Sequence, residues 1–255
     1  MELSEYIIVS IIFLITSAIG VVTGSNSLIA VPALLLIAKD LDPKIAIATN
    51  MFGLTFMSIG ASIPFIRAKQ IETKKLSSLI TLTLIGSAIG AFLIGSMDSP
   101  ESIKLVIAIS MLAVSALVLL LPRSEAESES PRGSAVLAIG YILSFLLAIY
   151  GGFFSGGYVT ILTFVFVSFF AFQMKQAIAT TKIINVFSSL IATLIFIYQG
   201  LVDFQLGILL AITMFTGAFV GARMATKLNE TWLRRIFFVA VVIISFKLLF
   251  DFISG

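Results

Sequence analysis

Ten apolar stretches follow one another along this chain: Tyr6 to Thr23, Leu28 to Ala38, Ile45 to Ile66, Leu76 to Met97, Ile103 to Leu121, Ala135 to Phe154, Tyr158 to Phe172, Gln176 to Tyr198, Phe204 to Ala225 and Leu233 to Ile253. A helix needs about 20 apolar residues to cross the hydrocarbon core of a bilayer, and two of the stretches, Leu28 to Ala38 and Tyr158 to Phe172, fall short of that. Each short stretch follows a full-length one after a break of small or polar residues, Gly24-Ser25-Asn26-Ser27 in the first half and Ser155-Gly156-Gly157 in the second. The pattern predicts a broken or re-entrant helical hairpin in each half. The one extended hydrophilic stretch, Pro122 to Ser134, has no apolar periodicity that would dock it on a core and reads as a linker. The chain thus divides into a first membrane repeat (1–121), a linker (122–134) and a second membrane repeat (135–255).

The halves also match residue by residue at an offset of 131. Gly20 falls on Gly151, Lys44 on Lys175, and Ala46-Ile47-Ala48-Thr49 on Ala177-Ile178-Ala179-Thr180. Phe56/Phe187, Ser58/Ser189, Ala61/Ala192, Phe65/Phe196, Gly86/Gly217 and Gly90/Gly221 keep the same register without a gap. Two copies of an apolar unit, each interrupted at the same place, are the signature of a transporter built from internal repeats. The expected fold is an all-α polytopic membrane protein of two repeats with about five embedded segments each.

Charge fixes the relative orientation of the repeats. An odd number of passes per half inverts the second half relative to the first. One set of loops then holds Arg67, Lys69, Lys74, Lys75, Arg123, Arg132, Lys175, Arg223, Lys227, Arg234 and Arg235, and the other only Lys39, Lys44, Lys104 and Lys247. Parallel repeats would instead split the large basic clusters between the two faces, against the positive-inside tendency. Inverted repeats are therefore expected, with the N-terminus outside and the linker cytoplasmic. The acidic start Met1-Glu2-Leu3-Ser4-Glu5 lacks the basic region of a signal peptide and leads straight into the first segment.

Inversion brings the two breaks toward each other from opposite sides. Unwound backbone inside lipid is tolerated only where it is buried in protein or lines a wet cavity. Half-helices starting at the breaks aim N–H groups and positive dipole ends at one place, which favours a small anion. Gly24, Ser25, Asn26 and Ser27, with Ser155, Gly156 and Gly157, are the candidate cradle. Thr49 and Asn50 follow the first short segment, and Thr180 and Thr181 hold the equivalent place in the second half. Lys182 is the sharpest candidate, because an ammonium inside the stretch Gln176 to Tyr198 faces a cavity, a partner or, by snorkelling, the headgroups. Asn185, three residues on, shares its helical face. Gly86, Gly90, Gly217 and Gly221 form GxxxG steps suited to close helix packing, and Trp232 suits an interfacial anchor.

Composition narrows the chemistry. With 59% hydrophobic and 11% charged residues the chain is far from globular usage. Its net charge of +3 reads as topology determination and gives no basic face for nucleic acid. Cysteine and histidine are both absent, which removes disulfides, thiolate nucleophiles, imidazole bases and the usual metal and haem ligands, so no cofactor and no metal are expected. No Asp or Glu lies deep in an apolar segment, since Asp98, Asp203 and Asp251 are all near ends, and a carboxylate proton relay is not visible. An embedded enzyme would lack nucleophile and base.

The stretches Gly20-Val21-Val22-Thr23-Gly24-Ser25-Asn26-Ser27-Leu28-Ile29-Ala30-Val31-Pro32-Ala33-Leu34-Leu35, Ala48-Thr49-Asn50, Gly151-Gly152-Phe153-Phe154-Ser155-Gly156-Gly157 and Ala179-Thr180-Thr181-Lys182-Ile183-Ile184-Asn185 resemble the TauE/SafE family of sulfite and organosulfonate exporters, also called the four-toluene-sulfonate uptake permease family. So do Gly217-Ala218-Phe219-Val220-Gly221-Ala222-Arg223 and the region from Leu233-Arg234-Arg235 to Lys247-Leu248-Leu249. The resemblance implies a small polytopic carrier in the plasma membrane that moves sulfite, sulfoacetate or related sulfonates, mostly outward. The chain departs from the usual pattern at Ser25 and Asn26, where the family commonly has glycines, and the added donors bear on selectivity. The leading expectation is an alternating-access transporter of small sulfur-containing anions. A passive anion channel could use the same midplane site. The expected partners are the small anionic substrate and the bilayer, with room for a homo-oligomer.

Overall fold

The computed structural model describes residues 2–24, 26–38, 40–97, 99–103, 105, 109, 133–227, 229 and 232. Eight helices are described, four from each half: α1 (Leu3–Thr23), α2 (Asn26–Ile37), α3 (Pro43–Arg67), α4 (Leu76–Gly95), α5 (Ser134–Phe153), α6 (Tyr158–Phe170), α7 (Met174–Tyr198) and α8 (Phe204–Ala225). Among the described residues there is no strand. The expected segments Ile103 to Leu121 and Leu233 to Ile253, and the linker, lie wholly or largely outside the described residues. Among the described residues, six helices are long and apolar enough to cross a bilayer. The other two, α2 with 12 residues and α6 with 13, rise only about 18–20 Å at 1.5 Å per residue, too little to cross alone.

Local chemistry sets the helix ends. Asp42 caps α3 by accepting from the Lys44 N–H at 2.7 Å, with Pro43 as the first helical residue, whose missing N–H costs nothing there. Asp203 caps α8 by accepting from the Leu206 N–H at 3.1 Å. The breaks are turned by left-handed backbone at equivalent positions. Gly24 ends α1 at φ 71°, and Ser155, its counterpart 131 residues on, follows α5 at φ 66°. Glycine takes that conformation freely, whereas a serine pays about 1–2 kcal/mol for it. Gly157, at φ 74°, then starts α6.

The long helices sort into an inner and an outer set. The apolar windows of α3 and α7 are 78% and 61% buried, against 28–39% for α1, α4, α5 and α8. The outer helices carry exposed rows such as Ile11, Ile15 and Ile19 on α1 and Ile208 and Ile212 on α8, the faces a lipid-embedded protein gives to acyl chains. Helix packing crosses between halves: α4 lies on α5, and α8 lies on α1 and α3. Glycine allows both outer seams. A Cβ at Gly86 or Gly90 would run into the carbonyl oxygens of Phe145 and Ile149, and one at Gly217 or Gly221 into those of Leu14 and Ala18. All four pairs are related by the same offset of 131. So are two hydrogen bonds, Asp203 N–H to Thr49 Oγ1 at 3.0 Å and Glu72 N–H to Thr180 Oγ1 at 3.1 Å. Each half therefore makes toward the other the contacts that the other makes toward it.

Candidate functional site

The two breaks touch. A Cβ on Gly24 would meet the backbone N and the Oγ1 of Thr160 in the first turn of α6, and one on Gly156 would meet Leu28 in the first turn of α2. Where they meet is a cavity lined by Gly20, Gly24, Asn26 and Ser27 from the first break, Ser155 and Val159 from the second, Leu54, Met57, Ser58 and Ala61 from α3, and Lys182 and Asn185 from α7. The α3 contribution is one stripe, since positions 54, 57, 58 and 61 follow the i, i+3, i+4, i+7 spacing of a single helical face. The cavity is about 20 Å³, on a scale where one water needs about 10–15 Å³. As it stands the cavity has room for about one water.

Among the described lining residues, Lys182 is the sole one with a formal charge. Its side chain is 3% exposed, and the ammonium donates to the Gly20 carbonyl at 3.4 Å. Gly20 lies in the last turn of α1 and its carbonyl also accepts from Gly24 N–H at 2.8 Å. The ammonium therefore sits at the negative end of the α1 dipole, where a cation is stabilised. That long hydrogen bond engages one of its three N–H donors. Lys182 reaches inward to α1, so the snorkelling alternative is not the arrangement adopted. No carboxylate is among the described lining residues, and no described group of His, Cys, Asp or Glu is placed to hold a metal.

Two amides complete the polar wall. Asn185 Nδ2 donates to Ser58 Oγ at 2.7 Å, which joins α7 to α3 across the cavity, and Ser189 Oγ donates to the Asn185 carbonyl at 2.6 Å. Asn185 Oδ1 has no partner. Asn26, 3% exposed, has none on either Nδ2 or Oδ1. Buried amides are nearly always satisfied, so three unpaired amide atoms on one small cavity mark it as a place for a ligand or ordered water.

The remaining sequence candidates stand one layer back. Asn50 Nδ2 donates to Ser27 Oγ at 3.1 Å and so positions a lining residue. Thr49 and Thr180 accept from Asp203 and Glu72 N–H groups at the entries to α8 and α4, and line no part of the cavity. Thr181 lies 3.4 Å from Thr163 Oγ1 and donates to the Ile178 carbonyl at 2.8 Å, tying α7 to α6. Gly156 packs on Leu28 and Phe154, while Gly157 supplies the turn into α6. Tyr150 OH donates to the Gly156 carbonyl and braces that turn. Ser25 lies outside the described residues. Sequence reasoning missed Gly20, Leu54, Met57, Ser58, Ala61 and Val159 as lining residues. The matched small positions Gly20/Gly151, Ser58/Ser189 and Ala61/Ala192 were the available signal.

The model of the sulfite exporter TauE/SafE family matches residues 9–248. The chain belongs to the TauE/SafE family. It is similar to a "Probable membrane transporter protein" of Haemophilus influenzae, 27% identical over 237 residues that cover 93% of this chain and 91% of that one. Similar too is the "Probable membrane transporter protein YfcA" of Escherichia coli strain K12, 27% identical over 230 residues, 90% of this chain and 84% of the relative. YunE of Bacillus subtilis, another "Probable membrane transporter protein", is 20% identical over 269 residues, 97% and 98% of the two chains. No solved structure matches. TauE/SafE proteins are membrane transporters, not enzymes, and with six helices able to cross a bilayer this member is a multi-pass membrane protein.

Proposed function

We propose that this TauE/SafE protein exports small sulfur-containing anions, sulfite or related organosulfonates, by alternating access to the cavity between the two breaks. The observation that carries this reading is Lys182: a buried ammonium on a cavity whose described lining holds no carboxylate. A charge buried in low dielectric without a counter-ion is costly, and an oxyanion is the guest that balances it. Donors for such a guest come from Lys182 and Asn26, with the first turns of α2 and α6 alongside.

In this reading the halves are inverted repeats and α1–α2 and α5–α6 are hairpins whose tips part toward one side at a time. The reciprocal hydrogen bonds of Thr49 and Thr180, and the reciprocal glycine seams, support two-fold exchange of the halves. In this reading the linker is cytoplasmic and the N-terminus outside, which the distribution of basic residues supports. The test is sulfite flux in vesicles carrying the purified protein. A carrier saturates and exchanges labelled internal for unlabelled external sulfite, whereas a channel gives unsaturated flux without exchange stimulation. Absence of any sulfite or sulfonate flux, in protein that remains folded, defeats the proposal.

A further inference from the structure

We infer that the cavity selects a singly charged oxyanion that still carries a hydrogen-bond donor, a protonated oxyacid anion such as hydrogensulfite, over the corresponding dianion. The inference rests on the anion site proposed above and concerns its choice of charge and protonation state. Charge balance is its first ground. One ammonium, from Lys182, faces the cavity, and among the described lining residues no other group carries a formal charge. A monoanion neutralises it. A dianion leaves one charge uncompensated in a site removed from water, which buried sites do not tolerate well.

Hydrogen bonding is the second ground and is independent of the first. Both polar atoms of the Asn26 amide are unpartnered, so the amide presents one donor and one acceptor to the cavity whichever way its two ends are assigned. A fully deprotonated oxyanion offers acceptors alone, and its oxygens would face the amide oxygen with nothing between them. A ligand with one remaining hydrogen satisfies both ends: an oxygen accepts from Nδ2, and its hydrogen goes to Oδ1. The same reasoning identifies what the Asn26 side chain adds at this break over a glycine, namely discrimination of protonation state.

Binding to the full-length protein in nanodiscs, by calorimetry at one mildly acidic pH, separates the grounds with three probes of similar size. Hydrogensulfite is a monoanion with a donor, methanesulfonate a monoanion without one, and sulfate a dianion without one. Using a single pH keeps the state of Lys182 common to all three. The expected order is hydrogensulfite tighter than methanesulfonate by about tenfold, the worth of one buried hydrogen bond, and sulfate weakest. Asn26→Leu abolishes the gap between the two monoanions. Equal affinity for all three probes, or a gap that survives Asn26→Leu, overturns the inference while leaving an anion site in place. Failure of every probe to bind folded protein overturns the anion site and this inference with it.

Discussion

Replacing Gly90 with alanine adds a single methyl group, yet that Cβ would lie on top of the Ile149 carbonyl oxygen and against Phe153 N. Both obstacles are backbone, so no rotamer change relieves the clash, and α4 must move off α5. Gly221→Ala makes the same collision with the Ala18 carbonyl, between α8 and α1. Overpacking of this kind costs about 1–3 kcal/mol. For a chain of this size that corresponds to a fall of about 2–12 °C in midpoint, at about 2–4 °C per kcal/mol. Gly86→Ala is expected to be milder, because its added Cβ meets the Ala148 side chain at 2.8 Å and the Phe145 carbonyl at only 3.0 Å. Gly133→Ala, with nothing within 4 Å, is the control. The assay is thermal unfolding in one detergent, read by loss of the monodisperse peak. The double variant Gly90→Ala with Gly221→Ala should sum the two shifts, since the seams are separate. If Gly90→Ala and Gly221→Ala unfold within the scatter of Gly133→Ala, the close-packed seams are not what holds the outer helices in place.

Three further outcomes are expected. Lys182→Met raises the KM for sulfite efflux about 1,000-fold, because an ion pair near 4 Å at an effective dielectric of about 20 is worth about 4 kcal/mol; a KM within threefold of the parent removes the ammonium from the site. Thr49→Val and Thr180→Val each strip the acceptor from one backbone N–H, costing about 1–3 kcal/mol, and chemical or thermal unfolding should find the two losses alike; a loss confined to one of them breaks the reciprocity of the halves. Gly24→Ala should impair flux, since its Cβ would strike Thr160 at the tip contact while also being held at φ 71°, whereas Ser155→Gly relieves left-handed strain and keeps the fold; reversed effects in the flux assay contradict the tip geometry.

Apolar runs made the long helices and the two short ones legible, because in a membrane protein the length of such a run is itself the structural constraint. The breaks were legible for the same reason, and their small residues do lie together. What the side chains do around them was less so. Thr180 and Lys182 are two residues apart and so point to different sides of the helix: Thr180 turns to the entry of α4 while Lys182 faces the cavity. Asn185, three residues from Lys182, did share its face. Ser58 stood out only as a position matched with Ser189. Its place opposite Asn185 depends on how α3 crosses α7, which no periodicity within either helix encodes. Gly20 was visible as a repeated glycine, but its carbonyl as a seat for an ammonium is a property of the finished assembly.

The glycine seams join each outer helix to a helix of the opposite copy: α4 is seated on α5, and α8 on α1. Among the described helices, each half thus buries glycines against backbone carbonyls of the other. Should 122–134 act only as a connector, it holds the two halves at high local concentration. Severed there, or made as two polypeptides in one membrane, the pieces have every reason to find each other and clasp again.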